Sequence, residues 1–238
     1  MRFKALTDKG NKRSLNEDNY YIDEKINFFM VADGMGGHAA GEVASQIAAS
    51  FTADFDFDLS EPLKSLSSLT YKINQEIINK SSSNQEYMGM GTTFAAAIIK
   101  DQNIYYINLG DSRIYLYNKN NKQLKKISKD HSLVGKLLRE NKITEEEAFN
   151  HPKKNIVTQA LGLEENLDLD KGQLKISEDE YLLLCTDGLS DMIRKNKIEE
   201  IFSENNQTED IAEQLLQEAL ASGGFDNITL IVVGYSEE

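Results

Sequence analysis

Four aspartates carry the strongest chemical signal in this sequence. Asp33 closes the apolar run Phe28–Ala32 and is followed by Gly34-Met35-Gly36-Gly37. Asp111 closes Ile104–Leu109 and follows Gly110. Asp187 closes Tyr181–Cys185 and precedes Gly188. Asp226 follows Gly223-Gly224-Phe225 and opens the last apolar run, Ile228–Gly234. An Asp-Gly pair taken singly is an ordinary turn. Four carboxylates at the edges of buried strands, with Asn16-Glu17-Asp18 near the start, would repel one another unless a cation offset them. All-oxygen ligands of this kind suit hard ions such as Mg²⁺ or Mn²⁺. The adjacent glycines let backbone carbonyls and water come close to an ion. A zinc site is not indicated: His38, His131 and His151 are scattered and Cys185 stands alone.

The elements that must position these residues are legible as patterns. Short runs rich in β-branched and aromatic residues read as strands at Ile26–Ala32, Thr92–Ile99, Ile104–Leu109 and Arg113–Tyr117. The last three, broken only by Asp101–Asn103 and Gly110–Ser112, predict an antiparallel meander. Tyr181–Cys185 and Ile228–Gly234 are near-continuous apolar runs, as expected of strands covered on both faces. Helical spacing is present over Gly41–Ala53, Leu63–Lys80, Ile198–Phe202 and Thr208–Leu220. Clustered strands with helix pairs between them predict an α+β fold, with packed sheets inside and helices outside. The polar stretch 130–159, with a short helix at Leu133–Glu140 and an acidic turn at Thr144–Glu147, is expected to form a flap. Two prolines and no Gly/Ser-rich linker make residues 1–238 one expected domain.

Composition narrows the function classes. A formal net charge of -13, from 39 acidic and 26 basic residues, argues against nucleic-acid or membrane-surface binding. One cysteine permits no internal disulfide, and no apolar stretch has the length of a signal or membrane segment, so a cytoplasmic protein is expected.

Eight blocks in order carry a family resemblance: Arg13-Ser14-Leu15-Asn16-Glu17-Asp18, Asp33-Gly34-Met35-Gly36-Gly37-His38, Gly91-Thr92-Thr93, Asn108-Leu109-Gly110-Asp111-Ser112-Arg113, Asp130-His131-Ser132, Ala160-Leu161-Gly162, Thr186-Asp187-Gly188 and Gly223-Gly224-Phe225-Asp226-Asn227. With these the chain resembles the PPM, or type 2C, metal-dependent protein phosphatases in their compact bacterial form. The resemblance implies a central sandwich of two antiparallel sheets flanked by helix pairs. It implies that Asp33 bridges two metal ions, with the Gly34 carbonyl as a further ligand and Asp187 and Asp226 completing one shell. Glu17 and Asp18 would act through metal-bound water, and Asp111 with Asp187 would hold a third, weaker ion. Arg13 matches the arginine that grips the substrate phosphate. Water shared by two Mn²⁺ or Mg²⁺ ions becomes hydroxide near neutral pH and attacks phosphorus in line, with no covalent enzyme intermediate. The implied substrates are phosphoserine and phosphothreonine in proteins, including those of a partner serine/threonine kinase, and the expected state is a monomer.

Two positions depart from the pattern. Met35 stands where animal relatives carry a histidine proposed to protonate the leaving alkoxide; His38 and a metal-bound water are the alternatives, and His38 could instead only pack against its loop. Gln159 stands where relatives often carry arginine. Rival phosphatase chemistries fit less well. Six residues after Cys185 stands Asp191 rather than the arginine a cysteine phosphatase needs, and Asp168-Leu169-Asp170 reads as a surface turn. No Gly-x-x-x-x-Gly-Lys phosphate loop occurs. A binding-only member should have lost a carboxylate, and none of the four is lost.

Overall fold

The computed structural model describes residues 1–37 and 40–235. Eleven strands form two antiparallel sheets. The first has the order β1 (Arg2–Asp8), β11 (Ile228–Gly234), β10 (Glu180–Cys185), β7 (Arg113–Asn118), β8 (Gln123–Lys126). The second runs β2 (Asp18–Asp23), β3 (Phe28–Met35), β5 (Phe94–Lys100), β6 (Asn103–Leu109), β9 (Asp170–Lys175), with β4 (Gly91–Thr92) paired to the end of β3.

Alternation along the strands builds three apolar layers. On β3, Phe29 and Val31 point inward to meet Ile114, Leu182, Leu184, Ile231 and Val233 of the other sheet. Phe28, Met30 and Ala32 point outward against helices α1 (Ala40–Ala53) and α2 (Pro62–Ser83). On the opposite side Leu183, Cys185, Leu230 and Val232 face α6 (Lys195–Glu204) and α7 (Thr208–Ala221). Both faces of the central strands are therefore dry, which is why their sequences are apolar without interruption. The architecture is the expected α-β-β-α sandwich. The three remaining α-helices are short: α3 (Leu133–Arg139), α4 (Glu145–Phe149) and α5 (Asp187–Ser190). Among the described residues no helix is long and apolar enough to cross a membrane.

Two expectations need correction. The meander over Thr92–Tyr117 is only half formed: β5 and β6 pair as a hairpin, but β7 pairs with β10 and β8 in the other sheet. The chain changes sheets at Gly110, whose φ of 103° is open to glycine and strained for other residues. Asp170 is not in a surface turn. It opens β9, is buried, and accepts the Lys129 backbone N–H at 2.7 Å.

Phe28 is fully buried, with its ring 4.9 Å from that of Phe57. Phe28→Ala is expected to destabilise the fold by about 3–5 kcal/mol through lost burial and a cavity, read as a lower urea midpoint at unchanged slope. The substitution Leu15→Ala, at an exposed position, should leave the midpoint within about 0.5 kcal/mol of wild type.

Candidate metal centre

The two sheets present their acidic strand ends on one side of the sandwich. Asp18 on β2 and Asp33 on β3 are direct partners in the antiparallel register. Directly opposed side chains on one face of a sheet stand ~4.5–5.5 Å apart at Cβ, so two carboxylates are forced together by pairing alone. Asp187 arrives from the other sheet as the first residue of α5, at the end of β10. Its charge acts on the Asp33 carboxyl and raises it, as that of Asp18 does. Asp111 sits in the turn where the chain crosses from β6 to β7 and is 5% exposed.

Electrostatics records the crowding. Burial pushes the Asp18 carboxyl up to about 7, against opposing hydrogen bonds from Thr229 and Thr186, and the charges of Asp187 and Asp226 add to the rise. Asp187 is also pushed up to about 7, by burial first and then by Asp191 and Asp226. Asp33 is held well above the ordinary range by burial and by Asp18, Asp187, Asp111 and Asp226. Asp111 is raised well above it by burial and by Asp187, with Arg113 opposing. Burial raises Glu17 as well, with Arg13 opposing.

The backbone beneath these side chains is locked. The Asp33 N–H donates to Thr93 Oγ1 at 2.9 Å, and the Asp33 carbonyl accepts from the Thr93 N–H and from Thr92 Oγ1, both at 2.9 Å. Thr93 Oγ1 in turn lies 2.6 Å from Ser112 Oγ, beside Asp111. Gly34 N–H donates to the Glu17 carbonyl at 3.1 Å. A Cβ on Gly34 would lie 2.2 Å from the Gly41 carbonyl oxygen, so only glycine permits α1 to approach this close.

Oxygens in the cluster lack partners. Glu17 Oε1 and Asp18 Oδ1 are buried without a hydrogen bond, although the other Asp18 oxygen accepts from Thr186 Oγ1 at 2.9 Å. An orphaned buried carboxylate oxygen is costly in an apo protein and is what a cation's ligand shell would satisfy. Among the described residues no three His, Cys, Asp or Glu side chains stand as a ready-made cage around one point. Asp226 accounts for part of this, because its Oδ2 is turned to Arg13 Nη2 at 2.8 Å and its Oδ1 to the Asn227 N–H at 2.8 Å. The donor set, all oxygen and strongly anionic, fits hard divalent ions.

The structure thus brings Glu17, Asp18, Asp33, Gly34, Asp111, Asp187, Asp226 and Arg13 to one mouth. His38 lies outside the described residues. Gln159 accepts the Asp168 N–H at 2.9 Å through Oε1, which gives it a part in the loop before β9. Sequence reasoning quoted Thr93, Ser112, Thr186 and Asn227 within the motif blocks but gave them no role. In the structure they bond, directly or through one another, to the backbone or side chains of Asp33, Asp18 and Glu17. Their signal was adjacency to the acidic motifs, which alone does not tell a support from a bystander. A second missed layer is ionic. Arg113 bridges Asp130 at 3.0 Å and Asp191 at 3.5 Å, while Lys126 and Lys154 pair with the same two carboxylates.

Comparison with known proteins agrees with this geometry. The family model described as Protein phosphatase 2C matches residues 9–222. The serine/threonine phosphatase stp of Listeria monocytogenes is 38% identical over 98% of this chain and 95% of its own length. The serine/threonine phosphatase PstP/Ppp of Mycobacterium tuberculosis superposes with a TM-score of 0.91 at 33% identity, covering 99% of both chains. A catalytic domain of PstP in complex with two manganese ions superposes with a TM-score of 0.87 at 32% identity, covering 97% of this chain and 96% of that one. With the family model over most of its length and relatives alike over nearly the whole of it, the chain belongs to the Protein phosphatase 2C family.

Proposed function

We propose that the chain is a metal-dependent phosphatase that hydrolyses phosphoserine and phosphothreonine in proteins. The observation that carries the reading is the packing of four aspartates into one mouth, with buried Glu17 and Asp18 oxygens that no protein donor reaches. The manganese-bound relative and the phosphatase relatives support it. Asp33, Asp187 and Asp226 with the Gly34 carbonyl would hold two Mn²⁺ or Mg²⁺ ions, Glu17 and Asp18 would support them through water, and Asp111 with Asp187 would hold a third. Such ions supply an acidified water as nucleophile and a positive field for the phosphoryl oxygens.

The chain's own residues do the rest. Arg13 has its side chain 48% exposed and rests on Asp226. It turns its planar fork from that carboxylate to the phosphoryl oxygens and offsets the charge that grows during attack. Thr92, Thr93 and Ser112 fix the Asp33 backbone, so the carboxylates do not reorganise as the reaction proceeds. For the proton that the departing serine or threonine alkoxide needs, His38, the histidine closest in sequence to the Asp33-Gly34 pair, is one donor and water held at the ions is the other.

Metal-stripped protein should be inert toward a phosphothreonine peptide, should recover with Mn²⁺ or Mg²⁺ but not with EDTA present, and should stay at background in Asp226→Ala and Asp33→Ala. Turnover by Asp33→Ala near that of wild type would sink the assignment.

Stability of the metal-free chain should run against the usual acid trend. Asp18 and Asp187 titrate near 7 when folded and ~3.9 when unfolded. The folded state therefore binds more protons between these values, so the stability these two groups contribute is fully present below ~4 and is lost as pH rises through about 7. Melting in EDTA should be several degrees lower at pH 8 than at pH 5.5, and Mn²⁺ should raise it more at pH 8, where the ligands are deprotonated. A melting point that rises from pH 5.5 to 8 in EDTA would contradict the electrostatics.

The role of His38 is read from the leaving group. If His38 is the donor, His38→Gln should lower kcat by roughly 10²-fold on a phosphoserine peptide and far less on p-nitrophenyl phosphate, whose phenolate departs without a proton. Equal losses on both substrates would remove His38 from proton donation.

A further inference from the structure

Asn227 follows the acidic residue Asp226 and is 5% exposed. Its side-chain amide is fully engaged. Oδ1 accepts the Glu17 backbone N–H at 2.9 Å, and Nδ2 donates to the carbonyls of Lys9 at 2.9 Å and Leu15 at 2.8 Å. The amide orientation is fixed by chemistry, because the reverse placement would set Oδ1 against two carbonyls and Nδ2 against an N–H. One buried group thereby ties both ends of the loop 9–15, which carries Arg13, and at the same time holds the start of the Glu17-Asp18 pair.

That loop has little else to order it. Residues 11–15 are all exposed. Its other ties run mostly to the segment before Asn227. Asn11 N–H donates to the Gly224 carbonyl at 2.7 Å, Asn11 Nδ2 donates to the carbonyls of Leu220 at 2.9 Å and Gly223 at 3.1 Å, and Arg13 pairs with Asp226 at 2.8 Å, while Gly10 N–H donates to Asp8 Oδ1 at 2.7 Å. Gly10 has a φ of 76° and lies so close that a Cβ there would stand 2.1 Å from the Asp226 carbonyl oxygen.

We propose that Asn227 is a positioning residue for catalysis, the shared anchor that sets the phosphate-binding arginine loop in register with the metal-binding carboxylates. The inference rests on Arg13 binding the substrate phosphate. An exposed arginine on an untied loop spends its binding energy on ordering the loop, so loss of the anchor weakens substrate capture before it weakens the chemical step. A residue that served stability alone would lower the folded fraction and leave KM unchanged.

Asn227→Asp separates the two halves of the anchor. It keeps the shape and the acceptor for Glu17 N–H but faces two carbonyl oxygens with a carboxylate oxygen. In the Mn²⁺-loaded enzyme, KM for a phosphothreonine peptide should rise roughly tenfold or more, with kcat and Mn²⁺ affinity changed much less. Limited trypsinolysis of the native protein should cut after Lys12 several-fold faster. A folded Asn227→Asp variant with wild-type KM and wild-type cleavage would overturn the proposal. Should that variant not fold, Asn11→Ala, at an exposed position on the same loop, must shift KM and cleavage in the same direction, and unchanged values there overturn it equally. Arg13→Ala is the control: unchanged KM in that variant condemns the phosphate-binding role of Arg13, while the tryptic rate still reports on the anchor.

Discussion

Like charge is the constraint around which this molecule is arranged. Strand pairing sets Asp18 opposite Asp33, the other sheet delivers Asp187 from the end of β10, and the turn that crosses between the sheets adds Asp111. In a flexible protein such groups would separate or protonate. Here separation is blocked, because Asp33 lies on a strand packed between two apolar layers and Asp18 is its register partner, so without a cation the crowding is relieved by proton uptake toward neutral pH. The sandwich is thus more than a container for a core. Its rigidity holds an electrostatically unfavourable arrangement that becomes favourable when divalent cations enter. Stability of the fold and affinity for ions are two sides of one free-energy balance.

The supports around the carboxylates follow from that balance. Thr92, Thr93 and Ser112 secure the Asp33 backbone, and Thr186 secures one Asp18 oxygen while the other has no partner. Farther out, Arg113 sits between Asp130 and Asp191, and the Arg139 guanidinium donates to the Asp130 carbonyl at 2.7 Å. Buried ion pairs add little net stability, so this network is better understood as geometry. It places positive charge beside Asp111 and Asp187 without letting a cationic side chain occupy their mouth. It also joins segment 130–159 to the body of the protein, since Lys154 pairs with Asp191 at 3.2 Å and Arg194 with Glu146.

What the sequence disclosed and what it withheld divide along physical lines. Periodicity found the helices α1, α2, α6 and α7, because each buries one apolar stripe against a sheet. Uninterrupted apolar runs found β3, β10 and β11. Strands β1 and β9 escaped because they lie at sheet edges and alternate with polar residues, as in Lys171-Gly172-Gln173. The departure of β7 to the other sheet was hidden because a two-sheet crossing and a hairpin can share the same short glycine turn. The four aspartates were legible from position alone. The hydroxyl and amide residues that hold them were not, because their roles appear only when Asn227 meets Lys9, Leu15 and Glu17 across the whole length of the chain.

Net charge invites a simple account of substrate choice that the site itself argues against. A charge of -13 would repel a phosphoprotein if it acted as a single field. At physiological ionic strength, however, exposed charges separated by more than ~8 Å are largely screened. On the proposed function, an approaching phosphate would meet a local field: Arg13 about half exposed, with exposed Lys9 and Lys12 in the same loop. On that reading, the basic loop and the cations held by the carboxylates would together set the sign at the mouth. Holding that loop in place would then govern how an acidic protein takes an anionic substrate, and the buried amide of Asn227 ties the loop to the carboxylates beside it.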